Sequence, residues 1–337
     1  KAADARSAPV GANGVCAGRL VRQGARARAR GGAARRFGGG VAVVGAGLEI
    51  PAASVEFMAV RVIARLDVKG PNLVKGIHLE GLRALGNPGE FARHYYAAGI
   101  DELVYMDAVA SLYGRNSLLD IVAHTAREVF VPLCVGGGLR TLDDVRDVLR
   151  AGADKVAINT QAIADPEFIR SAARRFGSST IVVSIQAKQR RDGSYECFTD
   201  SGREATGREV LAWAKEAEAL GAGELMVTAI DREGTGEGYD LALTRTLAEA
   251  LSIPVIACGG AGSPDDVADA VLEGRADAIC IASLLHYGTL RERSDLSPPE
   301  GTGTGHLAEL QRRSGIEGSS VGAIKARLAE RGVDVRR

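Results

Sequence analysis

The sequence has few aromatic residues, no closely spaced cysteines or histidines, and no long apolar run. Aromatic residues make up 4% of the chain, which argues against an aromatic platform for single-stranded nucleic acid. The five cysteines form no C-x-x-C pair, and the five histidines show neither the H-x-H nor the H-E-x-x-H spacing of metal sites. No apolar run approaches the roughly 18 to 20 residues that cross a bilayer. We therefore expect reduced thiols in the cytoplasm, no metal or cofactor, and no membrane or nucleic-acid partner.

The composition is typical of a globular protein with an α/β core. Hydrophobic residues make up 46% of the 337 residues, charged residues make up 25%, and 43 residues are glycine. The net charge is zero but uneven, because residues 1–57 carry nine Lys or Arg and three acidic residues. The rest of the chain is therefore mildly acidic, which disfavours a nucleic-acid footprint there.

Residues 1–57 differ in composition from the rest of the chain. Gly, Ala and Arg dominate as far as Arg36, and Met58 stands just before the first predicted strand. We interpret this segment as a disordered extension, or as the result of a start assigned too far upstream. An organelle transit peptide is the alternative, because the segment is rich in Arg and poor in acids. Residues 58–337 are then predicted to form the folded domain.

From Arg61 onward, short apolar runs alternate with segments of helical period, such as residues 143–151 and 208–220. A strand followed by a helix, repeated eight times over about 250 residues, predicts an α/β protein with a closed (β/α)8 TIM barrel. An open, doubly wound sheet is the alternative. The eight predicted strands are Val62–Leu66, Glu102–Met106, Pro132–Val135, Lys155–Ile158, Ile181–Ile185, Glu224–Thr228, Pro254–Ala257 and Ala278–Ile281.

An internal repeat favours the closed barrel. The glycine-rich segment that begins at Gly136 recurs at Gly259, which is 123 residues later. Each copy continues into a helix and a further strand, which is followed by residues 159–160 in the first half and 282–283 in the second. Duplication of a half-barrel of four β/α units is the simplest explanation.

The pattern changes near the C-terminus. Residues 291–320 are rich in Gly, Ser, Pro and Thr, which predicts a surface insertion. Val321, Ile324 and Leu328 then lie on one face of a predicted final helix, which ends before Gly332.

The two glycine-rich turns are candidate phosphate sites. Glycine lets backbone N–H groups approach a ligand, and the helix that follows presents unpaired donors at its N-terminus. Two equivalent sites at one end of a barrel predict a small bisphosphate ligand, whereas the alternative is that the glycines only make tight turns. The candidate residues are Gly137, Gly138, Asn159, Thr160, Gly260, Gly262, Ala282 and Ser283.

Asp67 is the first candidate for catalysis, because a carboxylate near the end of a buried strand is costly unless it is used. The equivalent position in the second half is Gln186, an amide. Lys75, in a predicted loop at residues 72–76, is a candidate mobile cation over the substrate, and a solvated loop lysine is the alternative. Asp231 and Gly234 belong to a third small polar loop that faces the same end of the barrel.

Four charged residues stand at strand beginnings and are expected to ring the opposite end of the barrel. Their charges sum to zero, so an ion-pair ring that only closes the barrel floor is one interpretation. They are Arg61, Glu102, Lys155 and Glu224.

Residues 61–290 and the final helix resemble the cyclase subunits of imidazole glycerol phosphate synthase, a family of histidine biosynthesis. The resemblance implies a (β/α)8 barrel. Its motifs are Leu66-Asp67-Val68-Lys69, Val74-Lys75-Gly76, Val135-Gly136-Gly137-Gly138, the segment from Ala153 to Thr160, Ile230-Asp231-Arg232-Glu233-Gly234-Thr235, and Gly259-Gly260-Ala261-Gly262.

The resemblance implies a lyase that works with a glutamine amidotransferase subunit. Ammonia released by that partner passes along the barrel axis. The lyase uses this ammonia to convert the phosphoribulosyl-formimino-carboxamide ribotide into imidazole glycerol phosphate and an aminoimidazole carboxamide ribotide. On this basis Asp67 matches the first catalytic aspartate, the four-residue ring matches the charged gate for ammonia, and Asp154 is expected to help dock the partner.

The sequence departs from the family pattern at three places. Gln186 stands where the second catalytic aspartate belongs, and an amide cannot exchange the proton that the reaction requires. Arg65 replaces a smaller residue, and Gly70-Pro71 alters the first loop. A slow cyclase is consistent with these changes. The alternatives are a relative that delivers ammonia to an enzyme amidating a sugar of surface polysaccharide, and a non-catalytic scaffold that binds bisphosphates.

Overall fold

A ring of parallel strands surrounded by helices forms the centre of the protein in the computed structural model, which describes residues 59–109, 118–300 and 315–336. The strands are β1 (Arg61–Lys69), β2 (Asn72–Ile77), β3 (Glu80–Gly86), β4 (Glu102–Asp107), β5 (Leu133–Gly136), β6 (Lys155–Ile158), β7 (Ile181–Gln189), β8 (Tyr195–Thr199), β9 (Glu204–Glu209), β10 (Glu224–Ala229), β11 (Val255–Cys258) and β12 (Ala278–Ile281). The helices are α1 (Pro88–Ala97), α2 (Leu119–Thr125), α3 (Leu142–Arg150), α4 (Thr160–Ala164), α5 (Glu167–Phe176), α6 (Val210–Leu220), α7 (Leu241–Ala250), α8 (Pro264–Leu272), α9 (Ser283–Glu292) and α10 (Val321–Glu330).

Eight of these strands close into a parallel barrel. They pair in the order β1, β4, β5, β6, β7, β10, β11 and β12, and β12 pairs back with β1. All eight strands predicted from the sequence are present, so the (β/α)8 fold is confirmed and the open-sheet alternative is wrong. The largest differences in bounds are at β1 and β7, which extend beyond their predicted ends to Lys69 and Gln189.

Two antiparallel hairpins extend the barrel and were not predicted. β2 pairs with the end of β1 and with β3, and β8 pairs with the end of β7 and with β9. The segment at residues 72–76, predicted as a loop, is therefore strand β2. Each hairpin follows the first strand of its half-barrel, which is further support for the duplication.

Alternation along the strands separates two apolar clusters. In β1, Val62, Ala64 and Leu66 belong to the large cluster between barrel and helices. Ile63 belongs to a second cluster of residues inside the barrel. Because successive side chains of a strand point to opposite faces, Arg65 also faces the barrel interior.

The segments predicted as helices each bury apolar residues at helical spacing. In α3, Val145 and Val148 are buried, and in α10 the predicted face of Val321, Ile324 and Leu328 is buried. The predicted helix at residues 208–220 begins two residues later, because residues 208–209 end strand β9.

Parts of two predictions lie outside the described residues. These parts are the N-terminal extension at 1–57 and residues 301–314 of the predicted insertion at 291–320. Both interpretations therefore stay predictions. Within the described residues, none of the helices has the length and apolar character that spanning a membrane requires.

The duplication predicts matched contributions to stability at two helix starts. Thr141 caps α3 and exchanges hydrogen bonds with Asp144, and Ser263 caps α8 and exchanges hydrogen bonds with Asp266. We expect Thr141→Ala and Ser263→Ala each to lower the free energy of unfolding by about 1 kcal/mol, because each leaves a helix N–H without its partner. Urea unfolding of the single variants measures both effects. Losses that differ by much more than the experimental error would contradict the equivalence of the two caps.

Candidate active site

The four charged residues predicted at strand beginnings form a closed ring at the N-terminal end of the barrel. Arg61 donates to Glu102 (2.6 Å) and to Glu224 (3.1 Å). Lys155 lies 3.1 Å from each of the same two carboxylates. The side chain of Glu102 is almost fully buried. Burial lowers the pKa of Arg61, but the charges of Glu224 and Glu102 outweigh this effect and raise the pKa above its usual value. Positive and negative groups thus alternate around the axis, and we call this set the ring.

Asp154, which the resemblance links to partner docking, has a role within the barrel. One of its oxygens accepts a hydrogen bond from the backbone N–H of Leu133 (2.9 Å) at the start of β5. Asp277, at the equivalent position of the second half, accepts from Val255 at the start of β11 (2.9 Å). Each carboxylate thus fixes the start of the strand that lies beside its own, so Asp154 has a structural role whether or not a partner binds.

Asp67 lies inside the opposite, C-terminal end of the barrel, which we call the mouth. Its carboxylate is buried and accepts a hydrogen bond from Nε of Arg65 (2.9 Å). Arg65 is also buried. Burial lowers the pKa of its guanidinium, but the charge of Asp67 outweighs this effect and raises the pKa well above its usual value. The predicted catalytic carboxylate is therefore held in a buried ion pair with Arg65.

Gln186 occupies the equivalent position on the opposite side of the barrel. Its Oε1 accepts a hydrogen bond from the backbone N–H of Gly202 (2.7 Å), in the turn between β8 and β9. The side chain therefore anchors the tip of the second hairpin in the mouth. With Oε1 engaged in this way, the amide offers the cleft an N–H donor and no exchangeable acidic proton.

Lys75 lies on β2 and is buried in an ion pair with Glu233. Burial raises the pKa of Glu233, but the charges of Lys75 and Arg65 outweigh it and hold that pKa below its usual value. Burial lowers the pKa of Lys75, but the charge of Glu233 outweighs this effect and raises the pKa above its usual value. In this structure Lys75 thus joins the first hairpin to the loop after β10 and does not extend over the mouth as a free cation.

The polar loop after β10 contacts both hairpins. Asp231 is exposed and accepts a hydrogen bond from the backbone N–H of Gln189 (2.9 Å). A Cβ on Gly234, whose φ is +76°, would lie 2.4 Å from the backbone oxygen of Gly76. These two predicted substrate residues therefore position the hairpins in the structure, and their contact with a ligand stays a prediction.

One cleft at the mouth brings together five of the predicted residues, and its volume is about 640 Å³ including space open to solvent. The lining residues come from β4, from the loop after β5, from β6 and the start of α4, from β7 and from the turn after β8. The five predicted residues are Gly137, Gly138, Asn159, Thr160 and Gln186.

The second predicted phosphate site lies under the loop after β10. A Cβ on Gly260, whose φ is +116°, would lie 2.1 Å from the backbone oxygen of Gly238. The N–H of Gly262 donates to Asp266 (2.9 Å). Similarly, a Cβ on Gly137 would lie 2.7 Å from the backbone oxygen of Asp107. Close backbone packing therefore explains these glycines without a ligand, so the support for phosphate comes from other groups.

That support comes from the residues that follow β6 and β12. Asn159 has φ −123° and ψ −79°, and Ala282 has the nearly identical values −120° and −83°. The Oγ of Ser283 and the Oδ1 of Asn159 are buried without a hydrogen-bond partner. A serine hydroxyl can donate to a phosphate oxygen, whereas Oδ1 can only accept, for example from a ligand hydroxyl. The two halves therefore share a backbone shape but offer different chemistry.

Two buried titratable residues near the C-terminal end of the barrel strands were not predicted from the sequence, Glu233 and His286. Glu233 was visible only as part of a polar loop. His286 lies on α9, and its Nδ1 is 2.7 Å from the hydroxyl of Tyr95. Burial and the charge of Lys75 lower the pKa of His286 to about 3. An isolated histidine in a helix gives no sequence signal for such a position.

The pKa of His286 makes stability depend on pH. The unfolded chain takes up a proton near the ordinary value of 6.5, whereas the folded protein does so only near 3. Stability should therefore fall as the pH drops below 6.5, by up to about 1.4 kcal/mol per pH unit from this residue. We expect His286→Gln to reduce this slope in urea unfolding between pH 7 and pH 4. His124→Gln, at an exposed site, is the control, and an unchanged slope in His286→Gln would contradict the prediction.

Comparison with known proteins assigns the family. Residues 61–291 match the family described as histidine biosynthesis protein, which is more than half of the chain. A relative from Legionella pneumophila, imidazole glycerol phosphate synthase subunit HisF, is 58% identical over 207 residues. That alignment covers 61% of this chain and 98% of the relative. The barrel thus agrees with the family match, and this chain belongs to the histidine biosynthesis protein family.

Proposed function

We propose that this chain is the cyclase subunit of an imidazole glycerol phosphate synthase in the cytoplasm. In this role it receives ammonia from a glutaminase partner at the ring. It uses the ammonia at the mouth to convert the phosphoribulosyl-formimino-carboxamide ribotide into imidazole glycerol phosphate and aminoimidazole carboxamide ribotide. The observation that carries the proposal is the ring, together with the identity to a relative that bears this name.

The ring supports an ammonia entry because its members satisfy one another. Arg61 and Lys155 each bind both carboxylates, so the set closes the N-terminal end of the axis without leaving a buried charge unpaired. Moving one cation aside leaves the other still bonded to Glu102 and Glu224. A small neutral molecule can then pass at moderate cost, while ions meet a charged constriction.

The mouth supports binding of a phosphorylated substrate. Ser283 offers an unpaired hydroxyl at the start of α9, and Thr160 lies in the cleft of the first half. The backbone N–H groups at the start of α9 add donors for an anion. Asp67 lies inside the same mouth as the one carboxylate of the expected catalytic pair.

The side chains at the two expected catalytic positions, Asp67 and Gln186, favour a second candidate function. Gln186 carries no acidic proton, and Asp67 is ion-paired with Arg65, so both positions of the expected acid–base pair are altered. A barrel with a complete ring and an impaired pair suits delivery of ammonia to a separate enzyme that amidates a sugar. The two candidates share the glutaminase partner and differ in whether ring closure occurs here.

An ammonia-dependent assay tests the proposal. Purified protein, ammonium salt and the ribulosyl substrate are expected to give slow turnover, followed by the absorbance of the products. We expect Asp67→Asn to lower this turnover by about 10²-fold, because general acid–base catalysis contributes on that order. Asp277→Asn is the control, since asparagine keeps the acceptor for Val255 at the far end of the barrel. Turnover that is absent, or that survives Asp67→Asn, would contradict the cyclase and leave ammonia delivery.

A further inference from the structure

Arg65 extends across the barrel interior. Its Nη1 donates to Oγ1 of Thr228 on β10 (3.1 Å) and lies 3.4 Å from Sγ of Cys258 on β11. Counted through β12 and β11, β10 is the third strand from β1 around the barrel. The Arg65 side chain therefore crosses the barrel interior from β1 to β10, and the Asp67 carboxylate accepts its Nε–H on the side of the mouth.

This position lies between the mouth and the ring. Along β1, Arg61 belongs to the ring, Ile63 to the apolar interior cluster, and Arg65 and Asp67 follow toward the mouth. The interior of an eight-stranded barrel is only wide enough for side chains to fill it. A guanidinium that reaches from β1 to β10 therefore occupies much of the cross-section, so the axis is obstructed at a second level.

Cys280 marks the space on the ring side of Arg65. It pairs in register with Ile63, two residues before Arg65 along β1, and its side chain belongs to the interior cluster. Only 1% of its surface is exposed. Anything that reaches this thiol from the mouth must pass Arg65.

We propose that Arg65 is a second closure of the barrel axis, which separates the mouth from the ammonia path and opens when an anion at the mouth draws the guanidinium away from Asp67. This inference rests on the proposed passage of ammonia through the axis. It gives a reason for a buried arginine at this position, because a guanidinium binds phosphate oxygens at least as well as it binds one carboxylate oxygen. Ammonia then reaches the mouth only when a ligand is present.

Labelling of Cys280 in the full chain tests the closure directly. The probe is methyl methanethiosulfonate, a small neutral thiol reagent, and peptide mass mapping follows each cysteine. We expect Arg65→Ala to raise the labelling rate of Cys280 by about tenfold or more, because local access is normally limited by an opening step. A hydrogen bond to Cys258 and burial raise the pKa of Cys280, while the charge of Arg65 opposes that rise. Removing Arg65 thus makes the thiol less reactive, so faster labelling reports access.

Cys197 is the internal control. It is buried in β8, outside the barrel interior, so general loosening of the fold would raise its labelling as well. Thr228→Val is a milder variant that keeps the volume and removes one anchor of Arg65. We expect an intermediate rise at Cys280 there, which keeps the test usable if Arg65→Ala does not fold. Labelling of Cys280 that is unchanged in both variants, or that rises only together with Cys197, would overturn the closure.

Inorganic phosphate tests the response to anions. We expect phosphate to raise Cys280 labelling in the unmodified protein and to have no further effect in Arg65→Ala. Failure of phosphate to change the unmodified protein would overturn the anion response. None of these measurements needs the glutaminase or a turnover assay. A closure seen by labelling together with no ammonia-dependent activity would therefore reject the proposed function, while unchanged labelling with normal activity would reject only the closure.

Discussion

Replacing Glu233 with alanine is expected to lower the free energy of unfolding by about 3–5 kcal/mol, because it leaves Lys75 as an uncompensated buried charge. Both side chains are almost completely buried, with 2% of Lys75 and 3% of Glu233 exposed. The pair joins strand β2 to the loop after β10. Urea unfolding of Glu233→Ala measures the loss, and faster proteolysis of the first hairpin should accompany it.

The matched controls separate the buried charge from other effects. The double variant Lys75→Met with Glu233→Leu should recover most of the stability, because an apolar pair can replace a buried ion pair at little cost. Glu128→Ala removes a partner of Arg93 in an exposed ion pair and should have a much smaller effect, since solvent screens that pair. If Glu233→Ala costs no more than Glu128→Ala, Lys75 is not held as a buried cation.

The pH dependence of this pair follows from its pKa shifts. The pKa of Glu233 is lowered from 4.5, so its contribution is present above that value and is lost as the pH falls through the folded-state pKa. The pKa of Lys75 is raised from 10.5, so its contribution is present below that value and is lost as the pH rises through the folded-state pKa. The difference between the protein and the Lys75→Met, Glu233→Leu variant should therefore be constant between these limits and change outside them.

The second large effect is expected at Gln186. Gln186→Asp should raise ammonia-dependent turnover of the ribulosyl substrate by about 10²-fold, because it places a proton-exchanging group where the resemblance to the cyclase subunits implies one. Aspartate is shorter than glutamine, so the N–H of Gly202 loses its partner at a cost of about 1–3 kcal/mol. Combining this change with Arg65→Ala should raise turnover further, since it frees Asp67 from its ion pair.

The control for this experiment is Gln186→Glu. Glutamate keeps the length of glutamine and the acceptor for Gly202, but it places the carboxylate one methylene farther from the backbone than aspartate does. A gain for aspartate that exceeds the gain for glutamate indicates acid–base catalysis at the family's geometry. If neither variant turns over the substrate, the cyclase proposal fails and ammonia delivery to a sugar-amidating enzyme becomes the better description.

The barrel could be predicted because its signal is repeated. Eight apolar runs at regular spacing and the recurrence of Gly136 at Gly259 each indicate the same closed fold. The hairpins escaped prediction, since β3 and β9 consist mainly of exposed or half-buried residues and lack a continuous apolar run. Their place in the structure depends on contacts with the loop after β10, which lies more than 140 residues from β3 and is invisible to local pattern.

The structure brings together several residues that the sequence predicted to lie close, whereas their pairings could not be predicted from the sequence. The ring residues and the five cleft residues are brought together as their strand positions required. By contrast, the partner of Lys75 is 158 residues away, and Arg65 reaches a partner 163 residues away. Such pairs depend on the closure of the barrel and on which side chains fill its interior.

By itself, the sequence determined the duplicated (β/α)8 barrel and the ends at which its charged ring and its glycine-rich turns lie. These follow from periodicity, because strand ends and faces are set by local spacing. Only the tertiary structure decided that Asp67 is ion-paired with Arg65, that Lys75 is buried against Glu233, and that Arg65 lies across the barrel axis. The physical reason is that a buried charge takes its pKa and its role from whichever partner the fold places beside it.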